Sequence, residues 1–238
     1  MTRRNWYILA FTLASVAAAF LLPAMPQPVD YHGFADDRHL AGIANFLDVV
    51  TNAAFVLAGV AGLLVALYPG TRFEFARERI PYAVFFIGVA LTGLGSGYYH
   101  LAPDNETLFW DRLPMTIAFM GLISAQIVDR ISIRAGLALL APMLIVGMGS
   151  VVYWIATERA GAGNVMPYGV LQFYSVVMLL VLALLYRSRY TRGNDIYWVF
   201  LAYVLAKVFE TFDHELLALG NLMSVLCLED RAAGVCRV

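Results

Sequence analysis

The sequence predicts an all-α polytopic membrane bundle of about seven transmembrane helices. Three observations carry this. Hydrophobic residues make up 61% of the 238-residue chain and charged residues only 14%, too apolar for a soluble domain. Mean hydropathy is +0.72. The apolar residues also gather into windows long enough to cross a hydrocarbon core of about 30 Å, which takes roughly 20 helical residues. Strands of a closed barrel would be shorter and would alternate apolar with polar positions, which these windows do not.

The first window, 6–24, follows Arg3 and Arg4 and is stopped by Pro23, Pro26 and Pro28. Its charged start also fits a secretory signal. Phe20, Leu21, Leu22 and Pro23 interrupt any small-residue cleavage pattern before Gln27, so an uncleaved span is expected. A polar stretch with aromatic anchors, Tyr31-His32-Gly33-Phe34-Ala35-Asp36-Asp37-Arg38, suits an interfacial loop or short helix. The second window, 43–67, ends at Pro69-Gly70 and carries Asn45, Asp48 and Asn52 into its start. Polar groups at that depth pair across a bundle or line a cavity.

The third window, 81–99, contains Gly88, Gly93, Gly95 and Gly97. Small residues let helices approach closely in lipid, and they also leave room for a substrate chain. The fourth window is 110–128. The fifth and sixth, 135–156 and 168–186, carry almost nothing ionisable and are read as cavity wall. The seventh, 195–219, is different. It holds Lys207, Glu210, Asp213, His214 and Glu215, of which Lys207, Glu210 and His214 share a helix face.

Arginine fixes the expected orientation, because basic residues accumulate in cytoplasmic loops. One face receives Arg3, Arg4, Arg72, Arg77, Arg79, Arg130, Arg134, Arg187, Arg189 and Arg192, and the other only Arg38, Arg112 and Arg159. A cytoplasmic N terminus follows. The net charge of −1 gives no argument for nucleic-acid binding. Cys227 and Cys236 could pair in an oxidising compartment, and their spacing is not that of a zinc knuckle.

The chemistry concentrates at one membrane edge. Ser96 and His100 are four apart and stack on one side of a helix. Asp111 opens the next span after a loop of about ten residues, and His214 returns to the same edge. Histidine suits zinc, and a carboxylate suits zinc-bound water. Zinc lowers the pKa of bound water toward about 7 and polarises a carbonyl. Asp111 would then take the water's proton and Ser96 would donate to the developing oxyanion. A Ser96 nucleophile with His100 as base is the alternative, although no strand-turn-helix elbow surrounds Ser96.

Ser96-Gly97-Tyr98-Tyr99-His100, followed by Phe109-Trp110-Asp111-Arg112-Leu113-Pro114-Met115, resembles the two central motifs of the alkaline ceramidases. That family belongs to a wider superfamily with the adiponectin-receptor-like and Per1-like proteins. Residues 31–38 and Ile43-Ala44-Asn45-Phe46-Leu47-Asp48 look like the opening of its bacterial members, and Ala206-Lys207-Val208-Phe209-Glu210 through Asp213-His214 looks like the family's penultimate helix. The resemblance covers about 30–224 of a single domain, 1–238, with 225–238 as a divergent tail.

The resemblance implies a seven-helix core and a zinc ion held by three histidines. It also implies hydrolysis of the ceramide amide to fatty acid and sphingoid base. His100 then resembles the first zinc ligand, Ser96 the serine near the reacting carbonyl, and Asp111 the water activator. Asp30 and Asn45 resemble, loosely, calcium ligands.

The other two histidines are expected at 225–230, where Val225-Leu226-Cys227-Leu228-Glu229-Asp230 stands instead. His214 and Asp230 remain as substitute zinc candidates. With 6–24 as an added helix, the seven spans read as one extra plus six of the seven core helices. The expected partner is a membrane lipid such as ceramide, with no nucleic acid and no obligate protein partner. The expected location is a bacterial inner membrane with the site near the outer face. A catalytically impaired lipid receptor or scaffold is the alternative, and a transporter is weaker because no duplicated half is visible.

Overall fold

The computed structural model describes residues 3–34, 39–212 and 215. The described residues form α1 (Arg3–Leu21), α2 (Phe46–Thr51), α3 (Ala53–Leu67), α4 (Arg79–Leu101), α5 (Asn105–Arg130), α6 (Ile133–Arg159), α7 (Met166–Leu185) and α8 (Asp195–Thr211). Helices α2 and α3 meet at Asn52 and together form one span. Seven helical spans result, as expected. Five are long and apolar enough to cross a membrane, namely α1, α2 with α3, α4, α6 and α7. The chain is an integral membrane protein.

Helix α5 has the length for a span but a more polar sequence, because it is the helix at the centre. Thr116, Ser124, Gln126 and Asp129 are all buried along it. Their hydrogen-bonding needs are met inside the protein, as lipid requires. Ser124 donates to the Gly136 carbonyl at 2.9 Å. The Asp129 carboxylate accepts from the Arg189 backbone at 3.0 Å.

The glycines of α4 explain how tightly it meets its neighbours. A Cβ on Gly95 would overlap the Trp110 carbonyl oxygen, and one on Gly88 would lie 2.5 Å from the Ala118 nitrogen. On α5, a Cβ on Gly121 would come within 2.7 Å of the Phe85 nitrogen. These three crossings form one antiparallel seam of α4 on α5, with backbone against backbone. Gly93 does the same toward the start of the second span, facing the Asn52 carbonyl at 2.7 Å. Lipid offers no hydrophobic gain for pairing helices, so close packing must hold them. The glycine run therefore packs helices, and Gly97 alone of the four has nothing nearer than 3.9 Å.

Three expectations about boundaries change. The loop between the third and fourth windows is not about ten residues: α4 runs to Leu101 and α5 starts at Asn105. Apolar windows miss the polar helix ends, so they overestimate loops. The second span is not continuous from 43, since Asn45 lies in the left-handed region at φ 47° before α2 begins. The Asn52 side chain then bonds back to the Asp48 carbonyl at 2.7 Å where α2 gives way to α3. Arg112, counted among loop arginines, is buried within α5 at 5% exposure.

Helix α1 packs on α7 from outside the core. Phe11 stacks on Tyr174 at 5.4 Å, and the Tyr186 hydroxyl donates to Asn5 at 2.7 Å. None of its residues is fully buried, as suits an added helix. At the end of the bundle near Arg189, charges are neutralised in a network. The Arg189 guanidinium reaches Glu74 at 2.7 Å and the fully buried Glu78 at 3.3 Å, and it donates to the Val128 carbonyl at 2.7 Å. Pairing of this kind is what makes a buried carboxylate tolerable.

The turn that delivers the fourth span is fixed by a cap. Asp104 accepts from the Thr107 backbone at 2.7 Å, and Thr107 reciprocates to the Asp104 nitrogen. That backbone hydrogen bond holds the Asp104 carboxyl below its ordinary value. A depressed acid stabilises the fold above its unfolded value of 3.8, and the contribution is lost as pH falls through and below that value. Asp104→Ala is therefore expected to cost about 1 kcal/mol at neutral pH. In thermal unfolding the difference from wild type should shrink as the pH drops below 3.8.

Candidate active site

Backbone contact at the α4–α5 seam sets the site's dimensions. Because Gly95 touches the Trp110 carbonyl, Ser96 and Asp111, the next residue on each helix, flank the same crossing. His100 follows one turn beyond Ser96. All three line a single cavity of about 770 Å³, bounded mainly by α4, α5, α7 and α8. The three residues read from the sequence as one constellation are thus brought to one wall. Most of the rest of the lining is apolar, including Phe85, Leu122, Val176, Leu179 and Phe200.

His100 is positioned from two sides. Its Nδ1 lies 3.7 Å from an Asp48 carboxylate oxygen, and both side chains are only partly exposed. Its backbone carbonyl, at the end of α4, accepts from the Asn45 side-chain amide at 2.8 Å. Asn45 thus anchors the entry to α2 on the end of α4. Asp30 lies exposed in a short 3-10 helix, Val29–His32.

The segment holding that turn covers the polar end of the cavity. The Phe34 ring lies 4.4 Å from the His100 ring and 5.5 Å from that of Tyr99. His32 bridges the Tyr99 hydroxyl at 2.9 Å and the Asn105 side-chain oxygen Oδ1 at 3.1 Å. These contacts shield the imidazole of His100 from the surroundings on that side. They also tie the 29–34 segment to the junction of α4 and α5.

Two further side chains were not singled out from sequence. Asp48 showed only as a polar residue entering a span, and its partner 52 positions away is a matter of folding. Arg112 is adjacent to Asp111 and also borders the cavity. Its guanidinium lies 4.4 Å from the Trp154 ring, 4.8 Å from that of Tyr168 and 5.3 Å from that of Tyr31. Lys207 lines the cavity from α8.

Zinc needs three protein ligands with a fourth position open for catalysis. Among the described residues no group of three histidine, cysteine, aspartate or glutamate side chains is arranged to hold a metal. His100 with Asp48 supplies at most part of such a set. His214 and Asp230, the other zinc candidates, lie outside the described residues, as do Cys227, Cys236 and Glu229.

What the described arrangement can do is nonetheless specific. It sets a hydroxyl, an imidazole and a carboxylate on the wall of a largely apolar chamber, and electrostatic effects grow as the surroundings become less polar. An amide lodged there would meet a proton acceptor and a hydrogen-bond donor from two different helices. A family model described as Ceramidase matches residues 37–212. No curated protein and no solved structure matches the chain.

Proposed function

From a chain that belongs to the ceramidase family, whose members are ceramide-hydrolysing membrane enzymes, we propose hydrolysis of the amide of ceramide or a related N-acyl lipid. The products are a free fatty acid and a sphingoid or amino lipid. The single observation that carries this reading is the meeting of Ser96, His100 and Asp111 on the wall of one largely apolar cavity. Acyl chains fill the apolar part, and the amide is left at the polar end.

Asp111 is the proton acceptor. It draws a proton from the attacking water as the oxygen bonds to the amide carbon, and returns it to the leaving nitrogen as the C–N bond breaks. Ser96 donates a hydrogen bond to the carbonyl oxygen as negative charge gathers there. Asp48 orients the imidazole of His100 through the 3.7 Å approach at Nδ1. The segment around Phe34 keeps bulk water from the polar end. The arginine-rich network at the far end of the bundle favours a site near the outer face, by the rule that basic residues stay cytoplasmic.

Zinc is the cofactor the family resemblance implies, with calcium a weaker implication at Asp30 and Asn45. His100 would be a zinc ligand, and the chemistry supplied would be polarisation of the carbonyl and activation of water. The described residues do not complete that site. With one well-placed histidine among the described residues and none in 225–230, zinc is expected to be lost on mild chelation. Elemental analysis that finds stoichiometric zinc retained would contradict this.

The reaction itself is tested by incubating the purified full chain with labelled ceramides and N-acyl amino lipids and measuring fatty-acid release. Release that disappears in His100→Ala supports the proposal. No release across that panel, from protein of verified metal content, sinks it. A second reading, lipid binding without turnover, is favoured by Val225-Leu226-Cys227-Leu228-Glu229-Asp230 standing where the family resemblance expects two histidines. Saturable ceramide binding with no product would establish it.

A further inference from the structure

Among the described residues, Arg112 is a buried cation on this cavity with no ion-pair partner. It is 5% exposed, and a guanidinium cannot shed its proton. Among the described residues no carboxylate lies within ion-pair distance of it, and its Nη1 has no hydrogen-bond partner. The rings of Trp154, Tyr168 and Tyr31 surround it. Their π faces favour a cation above them, but they offer no lone pair to the in-plane N–H donors. The Tyr168 hydroxyl is itself directed at the Met115 sulfur, at 4.0 Å.

Leaving a charged donor buried and unmet is costly, and the cage holds this one beside Asp111 at the polar end of an apolar chamber. The planar fork of a guanidinium matches a carboxylate with two parallel hydrogen bonds. We propose that Arg112 is a binding residue for the carboxylate of an acyl lipid lodged in the cavity. The proposal rests on the reading that the cavity holds an acyl chain. The carboxylate has two sources, the free fatty acid or the head of an N-acyl amino acid.

The test is equilibrium binding to the purified full chain in detergent, with matched carboxylate and neutral lipids. Oleate is paired with oleyl alcohol, and N-oleoylglycine with N-oleoylethanolamine. In wild type the carboxylate of at least one pair should bind about tenfold to a hundredfold more tightly than its neutral partner, the range for a charge-assisted hydrogen bond. Arg112→Gln should collapse that ratio toward one, and Arg112→Lys, which keeps charge but loses the fork, should fall between.

Preference confined to the oleate pair assigns the carboxylate to the free fatty acid, and preference confined to the glycine pair assigns it to the head group. Either supports the proposal. A wild-type ratio near one in both pairs overturns it, as does an undiminished ratio in Arg112→Gln. Should Arg112→Gln fail to fold in a thermal melt, the wild-type and Arg112→Lys ratios decide. Binding of the neutral lipids with no carboxylate preference defeats the role of Arg112 alone. Failure of all four lipids to bind defeats the cavity reading along with it.

Discussion

Asp111→Asn is expected to lower turnover of an N-acyl lipid by about 10²–10⁴-fold, the usual contribution of a positioned general base. The substitution keeps the shape of the side chain but removes its capacity to take a proton. Affinity should fall far less than turnover, because the proposed reading places the acyl chains against Leu122, Val176, Leu179 and the other apolar residues that line the cavity. Measuring initial rates and lipid affinity on the same preparation separates the two. Turnover within a few fold of wild type would remove Asp111 from the reaction and shift attention to His100 as base.

The second large effect is structural. A side chain on Gly95 cannot be accommodated by a rotamer change, since its Cβ meets the backbone carbonyl of Trp110 and comes within 3.3 Å of the Asp111 nitrogen. Gly95→Val must force α4 and α5 apart. Overpacking in a well-filled interior costs about 1–3 kcal/mol or more, and here the displaced backbone belongs to Asp111 itself. We expect a lowered unfolding temperature together with loss of hydrolysis. A Cβ on Gly97, two residues on, would meet nothing nearer than 3.9 Å, so Gly97→Ala should change the unfolding temperature little. Equal tolerance of both substitutions would show that the seam does not set the geometry.

Much of the fold was legible because lipid imposes one rule on a spanning segment, that it be apolar for about 20 residues and satisfy its own backbone. The windows found α1, α4, α6 and α7 to within a few residues. The same rule blurred α5, whose polar residues face protein. It also hid the break at Asn52, which depends on a side-chain bond to the Asp48 carbonyl. Of the site, Ser96, His100 and Asp111 were legible through two short motifs.

The sequence by itself determined the class of molecule, an apolar helical bundle, and pointed to Ser96, His100 and Asp111, which the fold brings to one cavity, because span length and a four-residue helical spacing are local properties. Only the tertiary structure decided which glycines press helix against helix. Only it paired Asp48 with His100 and drew Arg112 out of a presumed loop into a cage of three rings. Those facts join residues dozens of positions apart, and no local pattern encodes a contact whose partner is chosen by packing.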